Sequence, residues 1–262
     1  MKHQAKKRFG QNFLTDQSVI NSLVDAIHPQ EGQTLIEIGP GLGALTKPLL
    51  SRVTALQAVE IDRDIVNWMH LEYQMPAYAK NKLTVHNVDA LKFDFSAIGS
   101  HLRITGNLPY NISTPILFHL LDHLSCIQDM HFMLQKEVVE RMVAAPSTSA
   151  YGRLSVMLQY YLQMEYLITV PPEAFNPAPK VESAFVRCIP HATLPFVAKD
   201  TTLFAELVLA AFSQRRKTIR NTLKSFLNDD DFTKLGIDPQ RRAETLSVAE
   251  FVVMCNYLYS AD

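Results

Sequence analysis

Between positions 16 and 28 the apolar residues fall at Val19, Ile20, Leu23, Val24 and Ile27. That spacing marks one face of a helix, and Asp16 stands where an N-cap is wanted. From residue 34 the rhythm changes to short β-rich runs at 34–38, 54–61, 82–88, 102–107, 130–135, 165–170 and 183–189. Helical patterns such as 65–74 and 113–124 lie between them. Strand–helix alternation predicts an α/β fold, a mostly parallel seven-stranded sheet covered by helices on both faces. The last two runs flank the proline-rich PPEAFNPAPK (171–180) with no good helix between them. They are expected to form an antiparallel hairpin at the sheet edge.

After Pro190 the texture changes. HATLPFVAKD reads as a linker, and TLFAELVLAAF, RRKTIRNTLKSFL, DFTKLG and Ser247–Tyr259 predict three or four helices. Ser247 with Glu250 forms a capping box at the start of the last one. The expected organisation is therefore an α/β domain over 1–192, led by a basic arm, and a small all-α domain over 193–262. Residues 68–82 are long for the connection they make and receive no assignment; the loop from Phe95 to Leu102 is correspondingly short.

Composition narrows the class. Of 262 residues 47% are hydrophobic and 19% charged, and no uncharged apolar stretch approaches the roughly 18 residues of a spanning helix. The opening MKHQAKKRFGQNF is basic with no apolar run behind it, unlike a secretory signal. Three widely spaced cysteines (Cys126, Cys188, Cys255) argue against a disulfide framework and fit a reducing cytoplasm. The net charge of −1 conceals two patches: Lys2, Lys6, Lys7 and Arg8 within residues 1–8, and Arg215, Arg216, Lys217, Arg220 and Lys224 within 207–228, neither containing an acid. Setting those nine aside leaves 16 basic against 26 acidic residues, a net of −10. Local positive patches on an acidic body suit polyanion binding, because phosphate contacts are local; two solvated faces are the plainer alternative. Arg216 and Arg220 are expected on one face of a helix, with Lys217 and Lys224 close by, as phosphate contacts.

Two turns carry the candidate chemistry. GPGLG (39–43) follows the strand TLIEI and precedes ALTKPLLSR, and Glu60 ends the next strand 21 residues after Gly39. Glycines at 39, 41 and 43 admit positive φ and close ligand approach, and an acid at that distance accepts hydrogen bonds from ribose hydroxyls. GPGLGA can be laid on the dinucleotide fingerprint, so a nicotinamide oxidoreductase is one reading. Pro40, however, removes an N–H that a pyrophosphate cradle would use. With Glu37 in front, the form E-x-G-x-G-x-G resembles instead the first motif of S-adenosylmethionine (SAM)-dependent methyltransferases. Asp89, after the third strand, is either the further acid that those enzymes aim at adenine or a helix cap.

The second turn, GNLPYN (106–111), closes the fourth strand, where open α/β sheets place their chemistry. Methylating an exocyclic amine requires freeing a lone pair delocalised into the base ring. Two acceptors aimed at its N–H bonds draw the nitrogen toward tetrahedral geometry and stabilise the charge that develops. The Asn107 amide oxygen supplies one, a backbone carbonyl of Leu108 or Pro109 the other, and Tyr110 a flat face for stacking. His119 and His123 have helical spacing but no supporting ligand, so no metal is expected.

KKRFGQNFL (6–14), EIGPGLGALT (37–46), GNLPYNISTPILF (106–118), FNPAPKVESA (175–184), FSQRRKTIRNTL (212–223) and RAETLSVAEF (242–251) together resemble the ribosomal RNA adenine dimethyltransferases over nearly the whole chain. Pro115 after NIST and the QRRKTIRN segment fit the small-subunit branch, the kasugamycin-sensitivity enzymes, better than the large-subunit resistance enzymes. The resemblance implies a Rossmann-like SAM-dependent methyltransferase domain. It implies SAM contacts from Gln11, Asn12, Leu14, Gly39, Gly41, Glu60, Asp89 and Asn107, with Ile61 against the cofactor adenine. Asn107 with the Leu108–Pro109 backbone would hold the target amine, and Tyr110 and Phe175 would sandwich a flipped adenine. Lys6, Lys7, Arg8, Arg215, Arg216, Lys217 and Arg220 would bind RNA. The implied reaction dimethylates N6 of two adjacent adenosines near the 3′ end of 16S ribosomal RNA in a precursor of the small subunit, by a cytoplasmic protein taken as a monomer. A large-subunit methyltransferase, or an assembly factor whose methylation is secondary, are the alternatives.

Overall fold

The computed structural model describes residues 11–73 and 82–260. In chain order it contains β1 (Phe13–Leu14), α1 (Gln17–Ile27), β2 (Leu35–Ile38), α2 (Thr46–Leu50), β3 (Ala55–Glu60), α3 (Arg63–Tyr73), β4 (Lys82–Asn87), β5 (Leu102–Asn107), α4 (Ser113–Leu121) and β6 (Ile127–Gln135). There follow α5 (Lys136–Val143), α6 (Arg153–Tyr161), β7 (Leu162–Val170), β8 (Phe175–Asn176), β9 (Ser183–Pro190), α7 (Thr201–Ala211), α8 (Ile219–Thr222), α9 (Asp229–Leu235) and α10 (Val248–Tyr259). None of the described helices is long and apolar enough to cross a membrane.

The chain divides into two compact units: residues up to Val139 with Glu165–Pro190, and Glu140–Met164 with His191 onward. The single boundary near 192 expected from sequence therefore misses a stretch. Residues 140–164 join the helical unit because α6 packs there: the Tyr160 ring lies 4.6 Å from that of Phe204 on α7, and its hydroxyl accepts from Ala198 N at 3.1 Å.

In the first unit all seven expected strands form one sheet, ordered β4-β3-β2-β5-β6-β9-β7. The pairs from β4 through β6 are parallel, β9 joins β6 antiparallel, and β7 lies beside β9 at the edge. β2 is fully buried, as a central parallel strand must be. The chain runs outward from β2 to β4 and then returns to place β5 on the other side of β2. Where the order reverses, the loops leaving β2 and β5 diverge and open a crevice. Gly106 permits this close pairing, since a Cβ there would run into the Ile38 carbonyl oxygen.

α1 begins as its sequence dictates, with the Asp16 carboxylate accepting from Ser18 N and Val19 N, and buries Ile20, Leu23, Val24 and Ile27. Its far end is held by Arg103 of β5, which is buried, pairs with Asp129 and donates to the carbonyls of Ile27 and His28. Ahead of α1, the segment entering β1 is pinned to β8, with Phe13 opposite Asn176 and Leu14 opposite Phe175.

The second unit departs from expectation at its basic segment. Residues 212–218 form turns, and only Ile219–Thr222 is helical. Thr218 is extended, while Ile219 N and Arg220 N donate to the carbonyls of Arg241 and Pro239. Three adjacent cations with no acid among them also gain nothing from being wound onto one helix.

Candidate active site

The turn after β2 holds positive φ at all three glycines, +67° at Gly39, +55° at Gly41 and +77° at Gly43. Gly39 N donates to Val59 O at 2.9 Å, tying the turn to β3. A Cβ on Gly41 would lie 3.2 Å from the Phe13 ring, so the glycine lets the β1 segment lie directly over the turn. Beneath it Glu37 is completely buried and accepts from Thr46 Oγ1 at 2.6 Å. Burial, reinforced by nearby Glu60 and opposed by the Thr46 bond, pushes its carboxyl up to about 7.

Glu60 ends β3 buried, accepting from Asp62 N at 2.8 Å, with the amides of Gly41 and Ile61 close enough to favour its charged form. Burial raises its pKa despite these donors. Gln11 Nε2 donates to Asp62 Oδ2 at 3.3 Å. Ile61 stands 46% exposed beside it. Asp89 caps the 3-10 turn Ala90–Lys92, accepting from Leu91 N at 3.0 Å, and also faces the crevice.

Across the switch point, Asn107 Nδ2 donates to Asn12 O at 3.0 Å. A carbonyl can only accept, so the amide must present its NH₂ to the β1 segment and turn Oδ1 the other way. Leu108 N donates to Met133 O, Ile112 N to Pro109 O and Ser113 Oγ to Tyr110 O. These bonds fix the turn. The Tyr110 hydroxyl shares a 2.7 Å hydrogen bond with Ser183 Oγ.

These residues face one cavity of about 800 Å³. Gln11, Asn12, Leu14, Gly39, Gly41, Glu60, Ile61, Asp89, Asn107, Leu108, Pro109 and Tyr110 all line it. Phe175 does not. It is 4% exposed and packed with Leu14, Met133 and Phe185 in the apolar cluster under the arm, so its ring is placed to anchor β1 rather than to stack on a base. His119 uses Nε2 on the Phe93 carbonyl and packs its ring against those of Phe95 and His123.

Lys6, Lys7 and Arg8 lie outside the described residues. Arg215, Arg216, Lys217 and Arg220 are all exposed in the second unit. Arg220 pairs with Asp229, so the expectation that no acid offsets this patch fails one residue beyond the counted window. Arg215 reaches the Ser149 carbonyl at 3.4 Å, and among the described residues no acid pairs with Arg216 or Lys217. Sequence reasoning also missed Ser183 and Asp62. Ser183 lies within the quoted segment 175–184 but received no role there, and each matters through a contact distant in the chain.

Glycines at positive φ, a buried acid holding backbone amides and a cavity of this size fit a nucleoside-bearing cofactor, and the neighbouring NLPY turn fits an amine acceptor. What the crevice contains is the apparatus of an amine methyltransferase. Comparison with known proteins makes this particular: the ribosomal RNA adenine dimethylase family model matches residues 2–260, and the chain belongs to that family. It is therefore a SAM-dependent ribosomal RNA adenine dimethyltransferase. It is 66% identical to ribosomal RNA small subunit methyltransferase A of Methylobacillus flagellatus over 98% of this chain and 99% of the relative. To the protein of that name from Thiobacillus denitrificans it is 58% identical over 98% of each. A dimethyladenosine transferase from Plasmodium falciparum has the same fold, with a TM-score of 0.81 at 24% identity, covering 95% of this chain and 98% of that one.

Proposed function

We propose that this enzyme transfers methyl groups from SAM to N6 of each of two adjacent adenosines near the 3′ end of 16S ribosomal RNA, during assembly of the small subunit. The small-subunit names of its curated relatives, at 58–66% identity over nearly full length, support this over a large-subunit substrate. The observation that carries the chemistry is the direction of the Asn107 amide.

SAM, when bound, supplies an electrophilic methyl group and a sulfur leaving group. The residues suited to hold it are Gln11, Asn12, Leu14, Gly39, Gly41, Glu60, Ile61 and Asp89. Glu60 and its ring of amide donors suit ribose hydroxyls. On the acceptor side Asn107 Oδ1, turned from the arm, accepts one N–H of the target amine. The second acceptor is a backbone carbonyl of Leu108 or Pro109; Pro109 O already accepts from Ile112 N, which leaves Leu108 O the freer of the two. Pulling on both N–H bonds frees the lone pair and offsets the charge formed as nitrogen attacks. Tyr110 supplies the stacking face for a flipped base. No metal or covalent nucleophile has a role, because holding the two groups in line supplies much of the acceleration.

RNA is held, in this reading, by the basic arm (Lys6, Lys7, Arg8) and by the exposed turn of Arg215, Arg216 and Lys217, with Arg220 a lesser contributor. The enzyme acts as a monomer in the cytoplasm. Incubation with labelled SAM and immature small subunits tests the assignment: dimethyladenosine in 16S RNA supports it, and label confined to large-subunit RNA overturns it.

A further inference from the structure

A phenylalanine would stack on a base as well as a tyrosine, so the hydroxyl of Tyr110 calls for its own account. It is spent on Ser183 Oγ at 2.7 Å. Ser183 begins β9, has no solvent exposure and lies opposite Gln135 of β6. The strand end that carries it is fixed in turn: Lys136 N donates to Glu182 O at 3.0 Å, and Lys136 Nζ pairs with Glu182 at 2.8 Å. A buried hydroxyl on a pinned strand is thus a rigid post for the far end of the Tyr110 ring. The backbone from which the ring springs is held by Leu108 N on Met133 O and by Ser113 Oγ on Tyr110 O. Partial burial raises the phenol's pKa, so it stays protonated and serves as a hydrogen-bonding tip, not as a base for the amine.

Resting on the methyl-transfer reading above, we propose that Ser183 is a positioning residue that locks the Tyr110 ring, and that this lock matters most for the second methyl transfer. In the first transfer the amine offers two N–H bonds to two acceptors, Asn107 Oδ1 and the backbone carbonyl of Leu108 or Pro109. Once one methyl is attached and the proton it replaced has left, a single N–H remains. One hydrogen bond then no longer fixes the tilt of the base, and the stacking face must do so. A ring whose tip is no longer anchored, and which is free to swing about χ1, costs the first transfer little and the second more, so monomethyladenosine accumulates.

The experiment follows N6-monomethyl- and N6,N6-dimethyladenosine by mass spectrometry over a time course on undermethylated small subunits. Wild type, Ser183→Ala, Tyr110→Phe, Ser183→Ala/Tyr110→Phe and Ser183→Thr are compared. The single variants should raise the mono-to-di ratio several-fold with SAM affinity unchanged. The double variant should be no worse than either alone, because the two groups act through one bond. Ser183→Thr, which keeps the hydroxyl, should restore the wild-type ratio. If Ser183→Ala fails to fold, Tyr110→Phe alone decides. A wild-type ratio in the single variants, or additive effects in the double variant, overturns the lock. Wild-type protein that makes no dimethyladenosine overturns the underlying reading instead.

Discussion

Asn107 and Asn12 stand 95 positions apart, and a 3.0 Å hydrogen bond from the side chain of one to the carbonyl of the other joins them. The bond orients the amide before any ligand arrives. It also makes the arm that lines the cofactor cavity part of the acceptor site. Since Asn12 follows directly on Gln11 and precedes β1, whatever holds the arm also aims Asn107.

Phe175 helps to hold the arm. Its ring is buried against Leu14, and truncating a buried phenylalanine typically costs about 3–5 kcal/mol. Phe175→Ala should therefore lower stability by that order in denaturant unfolding and raise the SAM dissociation constant. Unchanged unfolding would mean that the ring carries no packing load.

Glu37 gives a pH signature. Its carboxyl titrates near 7 in the folded chain against an ordinary 4.5, so the native state holds the extra proton between those values. The group's contribution is then favourable below about 4.5 and is lost as pH rises through 7, with a slope of at most about 1.4 kcal/mol per pH unit. Glu37→Gln keeps an acceptor for Thr46 and removes the titration. The variant should gain stability relative to wild type as pH climbs from 4.5 to 7. A difference independent of pH would contradict the assigned ionisation.

The basic turn makes a graded prediction. Arg216→Ala/Lys217→Ala should weaken small-subunit binding and flatten its salt dependence, by about 0.7–0.9 in slope for each phosphate no longer neutralised. Arg220→Ala should do less, because Asp229 already neutralises that side chain. SAM affinity should not move in either variant. Equal effects from the two would remove the distinction drawn between free and paired cations.

Much of this was legible in the chain. All seven strand runs fall where the pattern predicts them, and Asp16 and the Ser247–Glu250 box cap their helices. Such features are local, and local periodicity reports them. The two site turns were legible for the same reason, each sitting directly after a strand. The failures have the opposite character. The basic segment has helical composition, but bonds to Arg241 and Pro239 hold it as a turn. Phe175 looks like a free aromatic beside prolines until β8 pairs with β1 and buries it. Residues 140–164 join the helical unit through packing that no window of sequence contains.

A nucleotide preference separates the retained reading from the oxidoreductase one. SAM should raise the melting temperature, in proportion to the logarithm of its concentration above the dissociation constant, while NAD(P) should leave it unmoved. Stabilisation by NAD(P) alone would reverse the cofactor assignment.

The grip of the amide oxygen at 107 on the target amine underlies the whole mechanism. Its most direct test is the rate of dimethyladenosine formation by Asn107→Ala on immature small subunits, with SAM and subunit affinities measured on the same preparation. A loss of at least about 10²-fold in transfer is expected at saturating SAM with subunit affinity retained, while SAM binding weakens as the bond to Asn12 is lost. Transfer at the wild-type rate would contradict it.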